Sequence, residues 1–167
     1  VNELFQIFLA ALLAENVVLM RFLALCPYIG MSSDEGQSVG MGVAVTFVTV
    51  LATAVTWPIF NLVLAPLDLG FLQTLIFILV IASLVQLVEF YLKKSAPGLY
   101  ASMGIYLPLI TTNCAILAVT IDNVTRGYGF LQAIVYAVGV ALGFLIALLF
   151  LATVRRRIRA SNVPAFL

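Results

Sequence analysis

The chain has 167 residues, of which 64% are hydrophobic and 9% charged, and its mean hydropathy is +1.21. That balance excludes an ordinary soluble domain and identifies an integral membrane protein, while eight basic against seven acidic residues point to no nucleic-acid or acidic partner. There is no histidine, which removes the commonest metal ligand and the usual ligand of membrane haems, so any metal must be held by other groups.

Apolar stretches long enough to cross a bilayer, about 20 residues each, run over 4–28, 41–65, 69–92, 99–121 and 130–154. They predict five spans in an all-α polytopic fold, a single integral membrane domain over 1–167. The first stretch is longer than a signal-peptide core and lacks a cleavage site and a soluble remainder, so it is expected to stay in the mature protein. Loops after spans one, three and five carry Lys93, Lys94, Arg155, Arg156, Arg157 and Arg159, whereas the opposite loops carry only Arg126. The positive-inside rule then puts the N-terminus outside and the basic 155–159 cluster in the cytoplasm. The same cluster would also suit anionic lipid.

Shifting the chain against itself by 97 residues pairs Asn16 with Asn113, and GVAVTFVTVL (42–51) with GVALGFLIAL (139–148), in which five of ten positions are identical. This suggests a duplicated three-span unit, repeat one over 1–97 and an incomplete repeat two over 98–167. A unit with an odd number of spans inserts its second copy upside down, which is the inverted repeat of many transporters. On that pattern a sixth span is expected beyond residue 167.

Asn16 and Asn113 both fall near the middle of their spans, where hydrogen bonds to neighbouring helices are the ordinary explanation. The two cysteines, Cys26 and Cys114, are more informative. In unbroken helices Cys26 would lie about 30 Å from the outer surface and Cys114 about 20 Å from the inner one, at different depths. Each is flanked by helix-interrupting chemistry, however: Pro27 beside Cys26, and Pro108 with Thr111, Thr112 and Asn113 before Cys114. Interrupted helices in spans one and four would let both thiols reach the midplane. A lone thiol in a span is ordinarily a small hydrophobe, whereas two together are half of a four-cysteine iron site completed by another protein of the assembly.

Glu15 and Arg21 are charges inside span one, too far round a helix to pair with each other. Glu15 is a candidate for an ion path or a backbone contact, and Arg21 is expected to snorkel or to meet a partner chain. Asp68, Glu89 and Asp122 fall near span ends, as solvated boundary residues do. Gly139 and Gly143 form a GxxxG match, which predicts close helix packing. No glycine-rich phosphate loop and no soluble domain for flavin or nicotinamide is present, so redox chemistry would involve other subunits.

The segments ENVVLMRFLALCPYIG (15–30), TLIFILVIASLVQLVEFYLKKSAPGLY (74–100) and GIYLPLITTNCAILAV (104–119) resemble the membrane subunits of the Rnf complex, within the wider Rnf/Nqr group, and most of all its A-type subunits. The resemblance implies a multi-pass component of a prokaryotic cytoplasmic (inner) membrane translocase. That complex couples electron transfer between reduced ferredoxin and NAD to movement of Na+ or H+, and this component is not catalytic alone. It further implies a six-helix fold that meets a homologous, oppositely oriented E-type subunit of the Rnf complex, with an iron-sulfur centre between half-helices at their interface. Cys26, on the LCP motif, and Cys114, on the TTNC motif, carry over as two of four ligands, the others coming from the E-type subunit. A 2Fe-2S cluster fits, and a single iron with four cysteines has the same ligand count. Pro27, Thr112, Asn113 and Asn16 would shape or hydrogen-bond the surrounding backbone, and Glu15 and Asp122 are candidates for the ion path. The implied partners are the B-, C-, D-, E- and G-type subunits and the lipid bilayer, with ferredoxin reached indirectly and no nucleic acid. Competing readings are the E-type subunit of the Na+-translocating NADH:quinone oxidoreductase, a small inverted-repeat transporter using Glu15 and the asparagines, and a passive scaffold.

Overall fold

A computed structural model describes residues 2–32, 35–64, 66, 70–95 and 113–160, and these residues contain helices and turns but no strand. In chain order they are α1 (Asn2–Leu9), running on as a π-helical turn over Ala10–Ala14, then α2 (Leu25–Met31) and α3 (Glu35–Ile59), which ends in a second π-helical turn over Phe60–Leu64. After them come α4 (Gln73–Ser95), α5 (Cys114–Thr125) and α6 (Phe130–Ala160).

Among the described residues, three helices are long and apolar enough to cross a membrane: Ser38–Leu64, Gln73–Tyr91 and Phe130–Ala160. The first expected span, 4–28, is not one helix. It splits into Asn2–Ala14 and Leu25–Met31, with non-helical backbone between them. The described part of the fourth span is the 12-residue helix α5, which runs past the expected boundary to Thr125. Residues 96–112, including Pro108, Thr111 and Thr112, lie outside the described residues, as do Asp68 and the tail from 161 to 167.

The most extensive helix pair is α3 with α6, the two helices that hold the stretches matched by the 97-residue shift. Met41, Val45, Val48 and Ala52 of α3, with Val140, Phe144 and Leu148 of α6, belong to one buried cluster. Small residues keep the backbones close, and a Cβ on Gly42 would run into the Leu145 side chain. Three of the threonines inside α3 satisfy their hydroxyls locally: Thr46, Thr49 and Thr56 donate to the carbonyls of Gly42, Val45 and Ala52 at 2.7, 2.6 and 2.6 Å, whereas the buried Thr53 hydroxyl has no partner among the described residues. Such back-bonding makes them acceptable in an apolar span. Pro58, which cannot donate to the helix ladder, comes just before the π-helical turn that closes α3.

α4 is peripheral. It buries a single stripe, Phe77, Ile81 and Val85 at i, i+4 and i+8, and exposes Leu75, Ile78, Leu79, Leu87 and Phe90. In a membrane protein that outward face is a lipid or subunit face.

The expected GxxxG contact is present and its partner is α1. A Cβ on Gly139 would lie 2.9 Å from the Ala11 Cβ, and one on Gly143 would lie 3.0 Å from the Leu12 carbonyl oxygen. Phe8 and Ala11 meet Gly139 while Leu12 meets Gly143, so α1 and α6 run in the same direction. At their far ends Arg155 Nη1 donates to the Ile29 carbonyl at 3.1 Å. At the opposite end Trp57 Nε1 donates to the Tyr128 carbonyl at 2.9 Å, tying α3 to the α5–α6 turn. The ends of spans one and five therefore share a side.

Candidate functional site

The break in span one starts where the π-helical turn closes, with the Glu15 N–H on the Ala10 carbonyl at 2.8 Å. Asn16 then redirects the chain. Its Oδ1 accepts from the Val18 N–H at 3.1 Å and its Nδ2 donates to the Gly143 carbonyl at 2.9 Å. Phe22 and Ala24 adopt left-handed backbone, φ 53° and 59°, a conformation that costs an L side chain roughly 1 kcal/mol. Ala24 is the residue before α2, Cys26 lies in the first turn of that helix, and Pro27 follows at a position where its missing N–H has no intrahelical acceptor.

Of span four the described residues begin at Asn113, which caps α5 with its Oδ1 on the Ala115 N–H at 3.1 Å, and Cys114 is the first residue of the helix. The break in span one meets this helix start, because the Ala24 N–H points at the Cys114 Sγ from 3.1 Å. Both cysteines are unpaired and exposed. Each sits in the first turn of a helix. One polar atom beside them is orphaned: Asn113 Nδ2 is buried with no partner.

A second cluster fastens the broken segment to the end of α5. Arg126 Nη2 donates to both carboxylate oxygens of Glu15 at 2.7 Å, and Arg21 Nη1 donates to Asp122 Oδ2 at 2.6 Å. Tyr136 Oη lies 3.0 Å from Asp122 Oδ2 and 3.2 Å from Glu15 Oε2. A hydroxyl has one proton, so it serves one carboxylate at a time. The hydrogen bond from Arg126 to Glu15, followed by its bond to Tyr128 Oη, raises the Arg126 pKa above its already high ordinary value. Its guanidinium also lies 5.4 Å from the Tyr136 ring centre and 5.9 Å from that of Tyr128.

The structure thus brings Asn16, Cys26, Pro27, Asn113 and Cys114 to the place where the break in span one meets the start of α5, and Glu15 with Asp122 to one ionic cluster. Thr112 lies outside the described residues. Arg21 has a partner that the sequence did not suggest: its Nη1 meets Asp122 of the same chain. Asp122 departs from expectation, since its side chain is only 18% exposed and its Oδ2 meets both Arg21 and Tyr136. Sequence reasoning missed Tyr136 and the role of Arg126. The available signal was that opposite charges occur in two segments, Glu15 with Arg21 and Asp122 with Arg126, each carrying one acid and one base.

No group of three or more His, Cys, Asp or Glu side chains that could hold a metal occurs among the described residues.

The described residues form an all-helical membrane protein in which the interruption of span one meets the start of α5, with the Ala24 N–H on the Cys114 sulfur. The chain belongs to the Rnf-Nqr family: residues 4–166 match the family model described as "Rnf-Nqr subunit, membrane protein". It is 51% identical over 158 residues to the A subunit of the Na(+)-translocating ferredoxin:NAD(+) oxidoreductase complex of Acetobacterium woodii, covering 95% of this chain and 82% of that one. It is 51% identical over 164 residues to the A subunit of the ion-translocating oxidoreductase complex of Syntrophotalea carbinolica, covering 98% and 85%. With the same protein from Aromatoleum aromaticum the identity is 49% at the same coverage.

Proposed function

We propose that this chain is the A-type component of an ion-translocating ferredoxin:NAD+ oxidoreductase complex of a prokaryotic cytoplasmic membrane. In this reading Cys26 and Cys114 hold one half of an iron-sulfur centre shared with the E-type subunit, while the B-, C-, D- and G-type subunits complete the assembly. The observation that carries the reading is the meeting of the break in span one with the start of α5, where both thiols are exposed, with the Ala24 N–H on the Cys114 sulfur. The likeness to A-type relatives supports the complex, and the Acetobacterium relative is named for sodium.

The residues suit such a centre in three respects. Exposed thiols are open to a second protein, and two of them supply half of a four-thiolate set. The Ala24 N–H is a backbone donor already on the Cys114 sulfur. The unpaired Asn113 Nδ2 is a buried donor beside Cys114, which a sulfur acceptor would satisfy. When bound, a cluster supplies one-electron oxidation and reduction within the membrane. The chain's own tasks are to hold both sulfurs, exclude water with the α3 and α6 core, and pin the broken backbone through the Asn16, Glu15 and Arg21 contacts.

Glu15 and Asp122 are the carboxylates an ion path would use in this chain. Both are paired with arginines and lie within reach of the Tyr136 hydroxyl, so a cation entering here would compete with a guanidinium already present.

The test is iron and acid-labile sulfide content, with electron paramagnetic resonance, on the detergent-purified complex and its Cys114→Ser variant. Loss of one signal together with its iron and sulfide is expected. An unchanged signal and metal content would return both cysteines to packing roles and favour a transporter or scaffold, which tolerates Cys26→Ala with Cys114→Ala.

A further inference from the structure

Cys26 stands on α2, a helix of 7 residues that is too short to hold its shape alone. Its side chains give it little grip: Leu25, Cys26 and Ile29 are exposed, Pro27 is buried and Tyr28 half-buried. The contacts that pin the broken segment, Glu15 to Arg126, Asn16 to Gly143 and Arg21 to Asp122, all come before the cysteine. After it, Arg155 Nη1 of α6 donates to the Ile29 carbonyl at 3.1 Å. We propose that Arg155 is a positioning residue for Cys26, fixing the far end of α2 so that this thiol is held in one place relative to Cys114. The inference rests on the reading of Cys26 as an iron ligand.

The periodicity of α6 explains why this arginine of the basic cluster reaches inward. Ala141, Phe144, Leu148 and Ala152 are buried in steps of three and four residues, and position 155 is the next in that series. Arg155 is accordingly half-buried, whereas Arg156, Arg157 and Arg159 are exposed. Arg157 lies about 200° further round the helix. The apolar stem of Arg155 thus leaves the packed face of α6 and carries the guanidinium across to α2.

The acceptor is equally well placed. Ile29 follows Cys26 by about one helical turn, and its carbonyl is among the last four of α2, the ones a helix leaves without an internal donor. The buried Ser32 hydroxyl donates to the same oxygen at 3.1 Å, so both lone pairs of that carbonyl are used. The two donors differ in what they fix. Ser32 is next to α2 in sequence and moves with it, while Arg155 belongs to a core helix and ties α2 to something that does not move. Without Arg155 the carbonyl keeps its local bond, and α2 is free to pivot about the buried Pro27 and swing Cys26 with it.

The experiment uses the detergent-purified complex and follows the paramagnetic signal that Cys114→Ser removes, together with release of its iron to a ferrous chelator. Groups that orient a metal ligand are worth about tenfold or more in metal retention, so Arg155→Gln should change the line shape of that signal and speed iron release about tenfold, while the remaining iron-sulfur signals keep their shape. Arg155→Lys keeps the charge but ends one bond short of Nη1, and it should show the same change in smaller degree, about threefold in release. Arg157→Gln removes a charge from the same helix end and should alter neither readout. Wild-type line shape and release in Arg155→Lys, or changes in Arg157→Gln as large as those in Arg155→Gln, would overturn the proposal; the lysine comparison stands even if the glutamine variant does not assemble. A signal that survives Cys114→Ser with its iron would remove the iron reading and this inference together, whereas its loss there with wild-type behaviour at position 155 would remove this inference alone.

Discussion

Asn16 and Asn113 open their turns in the same way, each with its Oδ1 on the backbone N–H two residues ahead at 3.1 Å. Their amide nitrogens part company. Asn16 Nδ2 reaches the Gly143 carbonyl of α6 at 2.9 Å, whereas Asn113 Nδ2 is buried and unmatched. The break in span one is therefore complete within this chain, fastened by Asn16, by Glu15 to Arg126 and by Arg21 to Asp122. At span four Asn113 caps α5 beside the exposed Cys114, with its amide nitrogen unmatched among the described residues. On the proposed function, that unmet donor and the two open thiols are what this chain would leave for a second protein to complete.

Placing the same change at both asparagines tests this asymmetry most directly. Asn16→Asp should be the most damaging, because a buried carboxylate would face the Gly143 carbonyl without its donor; we expect a loss of roughly 3 kcal/mol in unfolding of the purified protein. Asn113→Asp keeps the cap acceptor and places negative charge at a helix start, so its stability should change by less than about 0.5 kcal/mol. Equal losses at the two sites would remove the asymmetry. If the cluster reading holds, Asn113→Asp should also lower the midpoint potential of one iron-sulfur signal in a redox titration.

Gly143→Ala comes next. The added Cβ would meet the Leu12 carbonyl at 3.0 Å, backbone that cannot swing aside, and we expect a loss of about 2 kcal/mol in thermal or denaturant unfolding. Asn113→Ala should cost about 1 kcal/mol through the lost cap, and Asn113→Ser should recover most of that, since serine caps equally well. A larger loss than for Asn16→Ala would reverse the comparison. The smallest effect concerns alkaline pH. The bond to Glu15 raises the Arg126 pKa, and a raised value gives stability that is complete below the unfolded pKa and lost only as pH climbs through the folded one. Both lie far above neutral pH, so thermal stability should show no loss from this pair between about pH 7 and 10.

Much of this was legible in the chain. Composition forced a membrane protein, and the 97-residue shift singled out two asparagines that prove to cap in the same geometry. Pro27 marked the break in span one, and the glycine pair of α6 marked a close contact. What stayed hidden were contacts between distant segments. Arg21 reads as a charge in search of water because its partner is 101 residues away. Tyr136 reads as an ordinary aromatic of a span because a hydroxyl's role depends on which carboxylates come within reach.

Local chemistry was determined by the sequence alone: apolar length makes spans, proline and asparagine end or redirect helices, and small residues permit close backbones, all through forces that act over a few residues. Which segments those breaks face was decided only by the tertiary structure. Packing α1 on the glycines of α6 and α5 on α3 sets the break in span one against the start of α5, so that the Ala24 N–H meets Cys114 and Glu15 meets Arg126. The orphaned amides of Asn113 and Asn123 are decided there too, since a donor is unmet only relative to the neighbours the fold brings to it.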